Sequence, residues 1–118
     1  MPNTIFIQHE LHKVFMNDKC ADVVLTDAAL IYYGPIAIRK AIKEITRLTR
    51  SHIVMIELYS PSFFKRWAVR LLTGYNLHNY KRLLGKAGFY DIEITKIPKE
   101  VWPGTPWEFW GFLITAKI

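Results

Sequence analysis

The chain has 118 residues, 51% of them hydrophobic, and a formal net charge of +6. That is the length of one domain with enough apolar material for a packed core, so residues 1–118 are expected to form a single unit. No apolar run approaches the roughly 20 residues needed to span a bilayer, so no membrane partner is expected.

The start lacks a basic segment followed by an apolar stretch, so no secretory signal is read there. The single cysteine, Cys20, has no internal disulfide partner, which fits a reducing cytoplasm. Residues 3–9 then read as a short strand, with Ile5 and Ile7 on one face and Phe6 on the other. A polar loop over 10–19 leads to Ala21–Asp27, where Val23, Val24 and Leu25 are consecutive and apolar, as in a strand covered on both faces. Gly34 and Pro35 break the chain, and Pro35 suits the first turn of a helix. Ile38, Ala41, Ile42, Ile45 and Leu48 then recur at helical spacing with cations on the other side, which predicts an amphipathic helix ending near Arg50.

Residues 52–59 form a second continuous apolar strand. The stretch from Ser60 through Phe64, Trp67, Ala68, Leu71 and Leu72 reads as helical and is interrupted at Gly74. A further helix is predicted with Asn76 or Asn79 as N-cap and Gly88 just past its end. Residues 90–97 alternate as a half-wet strand, 98–106 form a proline-rich loop, and 107–117 are expected to be a last, antiparallel strand. Strand, helix, strand, helix, strand, strand is half of a doubly wound α/β sheet. The expected fold is therefore a truncated, Rossmann-like sheet of about five strands. It should be mostly parallel, with an antiparallel C-terminal strand and helices on the faces.

Charge is uneven. Between residues 39 and 86 lie eleven Lys or Arg against only Glu44 and Glu57. Solvated helix faces account for such a pattern, and so does an electrostatic footprint for nucleic acid. No Ser-His-Asp signature, phosphate-cradling glycine loop or paired-cysteine motif is present. His9, His12 and Cys20 lack a fourth ligand at characteristic spacing, so no metal site is read.

The run ADVVLTDAALIYY at 21–33 resembles the fourth strand and following loop of class I S-adenosylmethionine-dependent methyltransferases. IFIQHE at 5–10 resembles that family's third strand, whose final acidic residue holds the adenine amino group. LLGKAGF at 83–89 resembles the helix-to-strand junction before strand six, and 107–117 the reversed strand seven. The family's glycine-rich loop after strand one and its ribose-binding acid after strand two have no counterpart in residues 1–118, so the cofactor-binding half is expected to be missing. At the end of strand three Glu10 stands where Asp is usual.

Ligands of an open parallel sheet bind outside the carboxyl ends of its strands. The resemblance implies S-adenosylmethionine as cofactor, with Glu10 on adenine and Thr26, Asp27 and Ala28 lining the methionine side. Tyr32, Tyr33, Tyr59 and Trp102 would wall the acceptor site, and the catalytic residue stays unassigned. The same side chains have plainer uses. Glu10 suits a solvated loop, Asp27 a turn cap, and the tyrosines a core edge with hydroxyls in water. Trp102, Trp107 and Trp110 equally suit an aromatic interface.

Without strands one and two, Val23, Val24 and Leu25 would be an open edge with apolar side chains on both faces, an association site. The expectation is a homodimer, or a partner chain that covers this edge and completes the cofactor site. The rival readings are a non-enzymatic interaction module and a basic nucleic-acid-binding domain.

Overall fold

In the computed structural model, which describes Leu11 and residues 14–118, four strands form one sheet. They are β1 (Ala21–Asp27), β2 (Thr49–Leu58), β3 (Tyr90–Lys96) and β4 (Gly111–Lys117), in the spatial order β1-β2-β4-β3. β1 and β2 are parallel, and β4 is antiparallel to both β2 and β3. Three strands thus point one way and the C-terminal one is reversed, as the sequence pattern implies. The fifth expected strand, residues 3–9, lies outside the described residues.

Four helices connect them: α1 (Ala37–Leu48), α2 (Phe63–Thr73), α3 (Tyr80–Lys86) and the single turn α4 (Trp107–Trp110). The apolar spacing of α1 buries Ile38, Ala41, Ile42, Ile45 and Leu48 on one stripe. The helix ends two residues before Arg50, because Thr49 turns extended and its Oγ1 donates to the Ile45 carbonyl at 2.6 Å. Ser62 caps α2 by accepting from the Lys65 amide, and Gly74, at φ 77°, ends it in the left-handed region. Asn79 is the N-cap of α3, accepting from the Arg82 amide.

β4 is shorter than expected. Residues 107–110 form α4 instead of strand, although their aromatic alternation imitates one. The turn is closed by the Trp110 amide donating to the Pro106 carbonyl at 3.1 Å and the Glu108 amide to the Gly104 carbonyl at 2.9 Å. Stacking of Trp107 on Trp102, with centroids 4.6 Å apart, anchors it from the side. Gly111 then starts the strand, where an added Cβ would stand 2.7 Å from both the Trp102 ring and the Trp107 carbonyl.

The core lies on one face of the sheet. Ile53 and Met55 of β2 and Ile114 and Ala116 of β4 meet Ile38, Ala41, Ile42 and Ile45 of α1 and Tyr80 and Leu84 of α3. A smaller cluster, Ile31, Leu58, Val69 and Leu77, seats α2. Strand alternation sends Val23, Leu25, Val54, Ile56 and Leu113 to the opposite face. There Val23 is 54% and Leu25 64% exposed, so among the described residues that face is open. β1 pairs with β2 alone among the described residues, so its outer edge is free there too.

Tyr80 is fully buried, and among the described residues its hydroxyl has no hydrogen-bond partner. A buried unsatisfied polar group costs about 1–3 kcal/mol. Tyr80→Phe is therefore expected to stabilise the fold by about 1 kcal/mol in urea unfolding.

Candidate functional site

The carboxyl ends of β1 and β2 meet at one edge of the sheet, and a buried carboxylate organises that edge. Glu57, near the end of β2, has no exposed surface and points to the helix-covered side between β1 and the following 3-10 turn (Leu30–Tyr32). It accepts from the Leu30 amide at 2.9 Å and the Ala29 amide at 3.3 Å. Burial pushes its carboxyl up to about 7, against the pull of those amides toward the charged form. Ala28, just before, is held at φ 50° while its amide donates to the Ile56 carbonyl at 2.8 Å. Left-handed backbone is uncommon for a residue with a Cβ, and Glu57 and Ile56 together hold it in place.

Of the residues expected to line the methionine side, Thr26 is buried, Asp27 is exposed at the end of β1, and Ala28 occupies the strained turn. The three are adjacent in space at the carboxyl edge, as their sequence positions require. Glu10, expected on adenine, lies outside the described residues, as do His9 and His12. Cys20 is exposed, and among the described residues no group of three or more His, Cys, Asp or Glu is placed to hold a metal.

The four expected acceptor-wall residues fall into two groups. Tyr32, 73% exposed, meets Tyr75 edge-on at 6.1 Å, Tyr75 meets Trp107 at 5.4 Å, and Trp107 stacks on Trp102. This is a continuous aromatic row joining Tyr32 to Trp102 through two residues not singled out as acceptor-wall positions. Tyr33 and Tyr59 pack instead against the main core, Tyr59 edge-on to Phe112 at 5.3 Å. The Tyr33 carbonyl accepts from Nε2 of His78 at 2.8 Å. Burial pushes His78 down to about 4, which keeps it neutral and a donor to that carbonyl. His78 also lies in a parallel bridge with Tyr59, so it ties the two tyrosine-bearing segments together.

Glu57 and His78 are the residues that sequence reasoning missed. Glu57 sits in an otherwise apolar strand, which is the one signal that marks it. A carboxylate amid Met55, Ile56 and Leu58 is either an edge position or a buried, hydrogen-bonded one.

No protein-family model matches the sequence, and no curated protein does. Solved structures do. The PH0226 protein from Pyrococcus horikoshii OT3 superposes with a TM-score of 0.67 at 15% identity, over 98% of this chain and 59% of that one. A Methanosarcina mazei S-adenosylmethionine-dependent methyltransferase gives 0.65 at 15% identity, over 92% of this chain and 64% of its own. The magnesium protoporphyrin IX methyltransferase ChlM from Synechocystis PCC 6803, with bound S-adenosylhomocysteine, gives 0.60 at 15% identity, over 95% and 49%. The chain thus has a methyltransferase-like, Rossmann-type α/β fold, and it spans about three-fifths of the length of the first two of these proteins. Among the described residues, no helix is long and apolar enough to cross a membrane.

The raised Glu57 value predicts a pH dependence of defined sign. An acid whose folded-state value lies above its ordinary 4.5 binds its proton more tightly when folded. Its contribution is fully present below pH 4.5 and is lost as pH rises through about 7. His78, pushed down, acts oppositely: its contribution is present above about 6.5 and is lost as pH falls toward about 4. Urea unfolding at pH 4.5 and pH 8 should therefore show wild type losing about 3 kcal/mol more than Glu57→Gln over that interval, since His78 is common to both. Equal pH dependence in the two proteins would show that the fold does not favour the protonated Glu57 carboxyl.

Proposed function

We propose that this chain is the back portion of a methyltransferase-like unit. With another chain completing the sheet beyond β1, it transfers a methyl group from S-adenosylmethionine to an acceptor. The observation that carries this reading is the strand order β1-β2-β4-β3 with β4 reversed, ending in a β1 edge that is free among the described residues, beside an apolar face. An edge strand with exposed Val23 and Leu25 is an association site, and two-fold pairing of identical chains buries it with the fewest distinct parts. A homodimer in the cytoplasm is the form we favour.

S-adenosylmethionine would supply the electrophilic methyl group. The chain's own residues fit one end of such a cofactor. Asp27 presents an exposed carboxylate at the strand end, and Ala28 beside it carries only a methyl group, so backbone can be approached closely. Thr26 closes the floor, and Glu10 would meet the adenine. The chief demand of methyl transfer is in-line placement of acceptor and donor away from water. Tyr32 and Trp102 at the two ends of the aromatic row, with Tyr33 and Tyr59 behind it, would supply that wall. A second copy of this chain lacks the glycine-rich loop and ribose-binding acid as well, so these would come from a different chain, and this chain alone, monomer or homodimer, should bind cofactor weakly.

A second reading, a non-enzymatic interaction module, is favoured by α2. Phe63, Phe64, Trp67, Leu71 and Leu72 are all more than half exposed on that one helix. Patches of this kind mark protein contacts.

Two measurements on the purified chain separate these readings. Sedimentation at micromolar concentration is expected to show a dimer that Leu25→Lys converts to monomer; a wild-type monomer removes the homodimer. In calorimetric titration, S-adenosylhomocysteine is expected to bind weakly to the chain alone. Tight stoichiometric binding by a monomer would overturn the need for a completing chain. Complete absence of binding in a confirmed dimer would favour the interaction module.

A further inference from the structure

On the helix-covered side, away from the open sheet face, α1 and α3 bound a groove of about 620 Å³. Its floor is aliphatic: Ile38 and Ile42 from α1, Leu83 and Ala87 from α3. Its rims are cationic. Arg39 and Lys43 line one wall and Arg82 and Lys86 the other, each pair four residues apart and so spaced about 6 Å along its helix. Arg66 stands at the end of the groove near His78 and Asn79. Among the described residues no carboxylate lines it.

None of Arg39, Lys43, Arg82 and Lys86 forms an ion pair among the described residues, and all four are exposed. The acids of the surrounding region are both withdrawn. Glu44 is held by Arg47, whose hydrogen bonds keep its carboxyl below the usual range, and Glu57 is buried beneath the β1 loop. Lys40 on α1 and Lys81 on α3 add further exposed positive charge to the two helices that bound the groove. Charge that extends well beyond a cavity suits an extended polyanion better than a compact ligand. Two facing rows with a regular repeat suit a chain of evenly spaced anions. An aliphatic floor offers apolar surface to the sugar and base faces between them.

We propose that the α1–α3 groove binds the phosphodiester backbone of a single-stranded nucleic acid. The site is independent of the proposed methyl transfer. It lies on the other side of the sheet from the open face and needs no cofactor, so it can hold or fail by itself.

The test uses the full chain and a fluorescein-labelled oligouridine strand, with anisotropy followed from about 50 to about 200 mM salt. Binding should weaken with salt, and each lost phosphate contact should lower the log–log slope by about 0.7. Arg39→Ala with Lys43→Ala, and separately Arg82→Ala with Lys86→Ala, should each reduce the slope by about 1.4. All four side chains are exposed, so circular dichroism should be unchanged. Lys65→Ala with Arg70→Ala on α2 is the control and should alter the slope less. No binding at low salt overturns the proposal. So do groove variants that keep the wild-type slope, or displacement of the strand by polyglutamate of equal charge as readily as by unlabelled oligouridine.

Discussion

Met55 of β2 and Ile114 of β4 lie opposite each other with no exposed surface, at the middle of an antiparallel ladder running from His52↔Lys117 to Leu58↔Gly111. This pairing brings the end of the chain into the centre of the sheet, between β2 and β3. Without it β3 would lose its neighbour among the described residues, where its ladder is made with β4 alone. The pairing also delivers α4 and Trp110 to the carboxyl edge, where the Tyr59 amide donates to the Trp110 carbonyl at 2.9 Å. The aromatic row from Tyr32 to Trp102 therefore depends on a contact between strands far apart in sequence.

The sheet built this way is asymmetric, and its asymmetry governs what the molecule can do. One face buries the aliphatic stripes of α1 and α3. The other presents Val23, Leu25 and Leu113 to solvent. Burying apolar area is worth roughly 25 cal/mol per Å², so an uncovered face and a free edge together give a strong drive toward association. The buried acid at the edge works against this simplicity. Glu57 sits within an apolar strand, where its carboxylate accepts from two amides of the β1 loop. The loop accordingly holds a backbone shape that Ala28 would not choose unaided.

Much of this was legible in the residues. The spacing of Ile38, Ala41, Ile42 and Ile45 defines α1, and the consecutive apolar residues of β2 define a central strand, because burial on one or both faces leaves a period in the sequence. Asn79 and Gly88 mark the ends of α3 by their local chemistry alone. What escaped was nonlocal. Residues 107–110 alternate like a strand, yet Trp107 is held in a helical turn by Trp102 and Tyr75, contacts no window of sequence contains. The apolar residues of α2 mark a helix but not which of them it buries, and only Val69 of that helix is buried. Tyr32 and Tyr33 are neighbours in sequence but part company in space, one joining the aromatic row and the other turning to the core.

The distribution of charge completes the picture, because it separates the surfaces that the fold leaves available. Apolar exposure is concentrated on the β1 face and α2. On the α1–α3 side the exposed groups are cations, and the acids that would neutralise them are occupied elsewhere. A second copy of this chain can cover the apolar sheet face without bringing the two cationic grooves together, since groove and face lie on opposite sides of the sheet. Association through the groove side would instead oppose like charges at close range, which costs free energy. The same sheet can therefore carry a protein contact on one side and a polyanion on the other. The sheet's hand and strand order, rather than any single residue, keep the two apart.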